Sequence, residues 1–200
     1  MLASVEMRCR DSQGARNTLL TFLERMSASD HMYRDSMTAI AACLLGDVEM
    51  RDGRPAEALA AYRIAWHDVQ EHPRIAAHQR ISSRAQAGLA SAYATLGERD
   101  RALGLLAKAL GLAEESQLPK HSAAGASLAE LFVSIGAACV RTGQSERALE
   151  MLGRAVRSGW GDAAWLELDP EFGPLRREPQ FVALIDEIRR RPKLAWRAAS

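Results

Sequence analysis

The 200-residue sequence predicts an all-α protein: about three helical hairpins in a row, a helix before them and a helical cap after them. Two observations carry this. The first is a pattern that returns three times: Leu45-Gly46, Gly53, Ala58, Tyr62 and Ala65, then Leu89-Ala90, Gly97, Ala102, Leu106 and Ala109, then Ile135-Gly136, Gly143, Ala148, Leu152 and Ala155. Offsets within the copies are identical, and successive copies are displaced by 44 and then 46 residues. A repeat of that size is one supersecondary unit that buries its apolar face against its neighbours. The second observation is a C-terminal stretch, Gly159 to Ile185, rich in aromatic residues and punctuated by Pro170, Pro174 and Pro179. It reads as the closing element of the array.

Each element follows from local chemistry. Asp11 to Met26 reads as a helix whose apolar set is Ala15, Leu19, Leu20, Phe22 and Leu23. It stands before the first complete pair, like the second helix of a hairpin whose first is missing, and residues 1–10 are too short and polar to replace that partner. The chain is therefore expected to be the tail of a longer array, or to cover that end by a partner or by self-association. In the first copy Ile40, Ala41, Leu44 and Leu45 recur at helical spacing, and Gly53 ends the helix by accepting the left-handed conformation. Pro55 falls in the first turn of the next helix, where a missing N–H loses nothing. Ala58, Tyr62 and Ala65 then share one stripe. Gly46 and Ala58 are expected to let the two helices approach closely, with Leu45 and Tyr62 filling the space beside them.

The second and third copies turn at Gly97-Glu98-Arg99-Asp100 and at Gly143-Gln144-Ser145-Glu146, connections short enough to make antiparallel neighbours. Beyond them Asp169 can cap a short helix begun by Pro170, and Pro179 can begin another. Trp165, Phe172, Leu175, Phe181, Leu184 and Ile185 are expected to cover the exposed apolar face of the last hairpin. One domain over residues 1–200 results: a helix at 11–26, hairpins over 36–160, a cap at 161–191 and a tail at 192–200.

This spacing resembles the tetratricopeptide repeat, whose consensus has Trp, Leu-Gly, an aromatic, Gly, Ala, an aromatic, Ala and a closing Pro. The resemblance covers Ser36 to Trp160 and is carried by the small residues. Phe132 takes the first aromatic position in copy three and Tyr93 the second in copy two, while Gln70, Glu114 and Trp160 stand where the closing Pro would be. The period is longer than the usual unit of roughly 34 residues, as in the extended-period branch of the family. The stretch Gly159-Trp160-Gly161-Asp162 to Leu184-Ile185 is similar to an end motif of many bacterial arrays of this type. The resemblance implies a right-handed helical-hairpin solenoid.

Composition narrows the class. With 48% hydrophobic residues and a net charge of +1, the chain has the make-up of an ordinary folded domain, without the basic footprint that phosphate binding needs. Leu175 to Ser200 is locally basic, with Arg189-Arg190-Arg191 and Lys193 at its centre, which reads as cations complementing a helix C-terminus. Cys9, Cys43 and Cys139 are odd in number and far apart, so reduced thiols and a cytoplasmic location are expected. Met1 to Glu6 lacks the layout of a signal peptide, and no run approaches the roughly 18 apolar residues of a membrane span. Neither nucleic acid nor membrane is expected as a partner.

No reactive constellation stands out, so no catalytic residue, metal or cofactor is expected. His67 and His72 are five apart, which at about 100° per residue points them to different faces, and His78 follows Pro73. There is no GxSxG elbow, P-loop or GxGxxG. Gly125-Ala126-Ser127 lies in an Ala-rich run suited to close packing, and Glu114-Glu115, like Glu146 with Glu150, reads as a solvated face.

The family resemblance also implies a binding surface, because the first helix of each hairpin lines the concave face. The lining would be Asp47 and Arg51, then Arg84, Ala87, Ser91 and Thr95, then Glu130, Val133, Ala137 and Arg141. The Lys and Asn with which some relatives grip a terminal carboxylate are absent: those places hold Cys43 and Asp47, Ala87 and Ser91, Val133 and Ala137. The expected function is a non-enzymatic scaffold binding a peptide segment or a protein surface. The alternative is a ligand- or peptide-sensing regulatory domain of a larger bacterial signalling protein.

Overall fold

Three glycines set the rhythm of the chain. In a computed structural model, which describes residues 11–31, 33–71, 78–115 and 128–191, Gly53, Gly97 and Gly143 take φ of 72°, 83° and 78°. Each ends a helix with the same pair of backbone hydrogen bonds. Arg54 N donates to Glu49 O and Gly53 N to Met50 O, at 2.8 and 3.2 Å. Glu98 N with Tyr93 O and Gln144 N with Cys139 O repeat the longer-range bond at 2.9 and 2.8 Å. This is the Schellman closure, which satisfies the last carbonyls of a helix and needs a left-handed residue. A fourth copy, missed in the sequence, stands at Gly159: its φ is 105° and Trp160 N donates to Ala155 O at 3.0 Å.

Between these stops the described residues are all helical, with no strand. The order is α1 (Ser12–Ser27), α2 (Arg34–Arg51), α3 (Pro55–Glu71), α4 (His78–Thr95), α5 (Arg99–Glu115), α6 (Leu128–Arg141), α7 (Ser145–Arg157) and α8 (Ala163–Leu168), then a 3-10 helix (Pro170–Leu175) and α9 (Pro179–Arg190). Cys9, His72, Gly125-Ala126-Ser127, Lys193 and the segments 1–10 and 192–200, all invoked above, lie outside the described residues. α2 packs most extensively on α3, α4 on α5 and α6 on α7; α1 rests on α2, and α4 also meets α2, α3 and α6. α4 is thus the central element.

Alanine dominates the seams. Ala58, Ala65, Ala102, Ala109, Ala148 and Ala155 of the repeated pattern are all fully buried, which lets neighbouring helices close on one another. Leu106, Leu131, Ile135, Leu152 and Val156 fill the larger spaces between α5, α6 and α7. The cap joins that cluster through Leu166, Phe172, Leu175, Phe181 and Ile185, while Leu184 and Trp165 are only partly buried against it. Asp162 caps α8 and Asp169 caps the 3-10 helix, their carboxylates accepting from Trp165 N at 2.9 Å and Glu171 N at 3.0 Å.

Several local expectations need correcting. α1 begins after Asp11, which accepts from Gly14 N, and of its expected apolar set Leu20 is 43% exposed because α2 covers only the Ala15 and Leu19 side. Gly46 makes room for a side chain instead of a neighbouring helix backbone. A Cβ on Gly46 would fall 2.4 Å from the Tyr62 ring, and one on Gly88 would fall 2.3 Å from the same ring. Tyr62 is therefore clasped between two glycines, one on α2 and one on α4. At Gly136 the matching Cβ would meet Leu152 at an ordinary 3.4 Å. No helix among the described residues is long and apolar enough to cross a membrane.

Candidate functional site

The first helices of the three pairs each carry a stripe of polar and small residues toward one cavity. On α2 the stripe includes Asp47, Met50 and Arg51; on α4 it includes Gly88 and Ser91; on α6 it includes Val133, Ser134, Ala137, Val140 and Arg141. These spacings of three, four and seven place each set on one helix face. The fourth wall comes from the cap, where Trp165, Asp169, Pro170, Glu171, Phe172 and Pro174 close the space. The cavity holds about 480 Å³.

Its charges are paired within the chain. Arg51 Nη2 donates to Asp169 Oδ2 at 2.7 Å, and the Arg51 guanidinium lies over the Trp165 ring at 5.5 Å. Arg141 Nη2 donates to Glu171 Oε2, while its Nη1 donates to the Thr95 hydroxyl at 2.8 Å. Asp47 accepts twice, from Arg84 Nη2 and from the Tyr62 hydroxyl, both at 2.7 Å. Burial, and then the Asp47 charge, push the Tyr62 hydroxyl well above its ordinary pKa. Burial likewise raises Glu171 above the usual carboxylate range, only partly opposed by Arg141. One Glu171 oxygen and the Arg141 Nε are buried with no hydrogen-bond partner, so this pair is incompletely satisfied.

Of the eight residues named from the sequence, five line this cavity and three do not. Asp47, Arg51, Ser91, Val133 and Arg141 line the cavity. Thr95 is exposed at its rim, donating to Ser91 O at 3.0 Å, and Glu130 approaches Arg84 Nη1 at 3.9 Å. Arg84 departs from expectation. Its side chain is 6% exposed, held behind Asp47 as a structural counter-ion, because α4 is packed by helices on several sides. Ala87 is likewise fully buried in the core.

The sequence reading missed the cap's part in this site. Trp165 and Phe172 were expected only to cover the last hairpin, and Asp169 only to cap a helix. The acidic pair Asp169 and Glu171, two residues apart around Pro170, was the available signal: two carboxylates facing a groove expected to hold arginines. Among the described residues no histidine, cysteine or lysine lines the cavity. Among the described residues no group of three or more His, Cys, Asp or Glu is arranged to hold a metal. Cys43 and Cys139 are buried free thiols, which desolvation raises to about 12 and about 11. What the lining offers is hydroxyls, fixed ion pairs and apolar wall. Compared with known proteins, the chain matches no protein-family model and no curated protein.

Proposed function

We propose that this chain is a cytoplasmic tetratricopeptide repeat protein of the extended-period kind, a right-handed solenoid of about three hairpins, which acts as a non-enzymatic scaffold. Its partner is a peptide segment of another protein, held in the cavity between α2, α4, α6 and the cap. The observation that carries the reading is the convergence on one cavity of equivalent stripes from three first helices. Further support comes from paired helices of 18 and 17, 18 and 17, and 14 and 13 residues. Each pair is joined by three residues with a left-handed glycine at the centre. Surfaces made by successive first helices are the extended binding faces of such arrays.

A second reading, the sensing domain of a larger bacterial signalling protein, draws on the cavity's walls. They come from elements as far apart as Asp47 and Pro174, so an occupant would bear on the spacing of all of them. The discriminating experiment is a peptide array probed with the full chain and with Ala137→Phe, which fills the cavity. Peptide capture that the variant loses is the expected result. No capture above background would count against the scaffold.

A further inference from the structure

Five charged residues line the cavity, Asp47, Arg51, Arg141, Asp169 and Glu171, and each is ion-paired within the chain, although one Glu171 oxygen and the Arg141 Nε stay unbonded. Arg51 is held by Asp169, Arg141 by Glu171, and Asp47 by Arg84 and the Tyr62 hydroxyl. A charged ligand would have to break one of these pairs or enter without a counter-ion, and either is costly beside carboxylates as little exposed as Asp169 at 8% and Glu171 at 15%. The arginines that look from sequence like a basic stripe thus do not select an acidic partner.

The groups left over have a different chemistry. Ser91 and Ser134 line the cavity, and neither hydroxyl has a hydrogen-bond partner among the described residues. Ser91 is only 6% exposed overall, and it is one of the residues that line the cavity. The Asp47 carboxylate keeps 27% of its side chain exposed and has lone pairs to spare for a further N–H donor. The remaining lining is apolar, Val133, Ala137 and Val140 against Trp165, Phe172 and Pro170. About 480 Å³ exceeds one large side chain and lies in the range of pockets that bury a whole small ligand.

We infer that this cavity takes an uncharged segment of a partner protein with neighbouring apolar side chains, its backbone amides bonded by Ser91, Ser134 and Asp47, and that acidic and basic segments are refused. This rests on the peptide-binding reading above and adds the chemical class of the peptide.

The test is fluorescence anisotropy of the full chain with three end-blocked, dye-labelled hexapeptides of equal length. One carries Leu and Phe among Ser residues, one has two positions changed to Glu and one has them changed to Lys. The neutral peptide should bind with affinity changing less than about twofold between low and high salt, since no phosphate or carboxylate pair screens away. The charged peptides should bind at least about tenfold more weakly. Ala137→Phe should abolish binding and Ser134→Ala should weaken it about threefold to tenfold, roughly one hydrogen bond. Circular dichroism melting of both variants establishes that they fold. Tighter, salt-dependent binding of a charged peptide overturns the inference and leaves the scaffold standing. Binding of no peptide overturns both. Stabilisation by neutral aromatic small molecules, with no peptide bound, would also overturn it and favour the sensing domain.

Discussion

Arg51 and Asp169 are separated by 118 residues in sequence and joined by a hydrogen-bonded ion pair of 2.7 Å. The contact ties the last turn of α2 to the cap's 3-10 helix, so one end of the chain closes the cavity formed by its middle. Asp169 does two jobs. Its Oδ2 receives Arg51, and its Oδ1 caps the 3-10 helix at Glu171 N. Asp169→Asn keeps a capping oxygen and removes the charge, so it should cost about 1–2 kcal/mol. Asp169→Ala loses both and should cost about 1 kcal/mol more. Urea denaturation measures the two. Equal losses would mean that capping is not a separate contribution.

The clasp on Tyr62 makes a sharp contrast among glycines that look alike in the repeat. Gly46→Ala and Gly88→Ala each drive a Cβ into a buried ring that Asp47 also holds by its hydroxyl, and should cost about 1–3 kcal/mol. Gly136→Ala meets only ordinary contact, and removing a helix-interior glycine should leave stability equal or raise it by up to about 1 kcal/mol. Melting temperatures of the three single variants decide it. A Gly46→Ala protein as stable as the parent would contradict the clasp.

Arg84 and Asp47 form the buried pair on which the cavity's floor rests. Asp47→Leu strands Arg84, whose side chain is only 6% exposed, and should cost about 3–5 kcal/mol, whereas Arg84→Met leaves Asp47 27% exposed and still bonded to Tyr62 and should cost about 1–3 kcal/mol. The double variant should be less destabilised than the sum of the two, because no unpaired charge is left behind. A double-mutant cycle reads this directly. Simple additivity would mean that the two residues act independently.

Alkaline pH should weaken the fold. Cys43 is raised from 9.0 to about 12 in the native state, chiefly by burial, and Tyr62 is raised as well. The native state keeps these protons while the unfolded chain releases them, so stability falls as pH rises above about 9. The slope approaches about 1.4 kcal/mol per pH unit for each group titrating in this way. Denaturation midpoints at pH 8, 9 and 10 check it, and Cys43→Ala should reduce the fall between about pH 9 and about pH 10. A flat profile would mean that the thiol ionises as easily folded as unfolded.

Much of the fold was legible because its signals are local. Gly53, Gly97 and Gly143 announce left-handed helix ends, Pro55, Pro170 and Pro179 announce helix starts, and alanines at fixed offsets announce close seams. Such features depend on backbone geometry within a few residues, which composition and spacing express directly. Gly46, Gly88 and Gly136 were not distinguishable in that way, since a helical glycine's purpose depends on which side chain from another helix reaches it.

The sequence alone therefore determined the helical class, the glycine-ended turns of the three pairs and the proline-marked helix starts. Tertiary structure alone decided the electrical character of the cavity wall. Asp169 and Glu171 are remote in the chain, and only the folding-back of the cap brings them onto Arg51 and Arg141. Charge neutralisation requires approach within a few ångströms, and no periodicity in one helix records what a distant segment will place there.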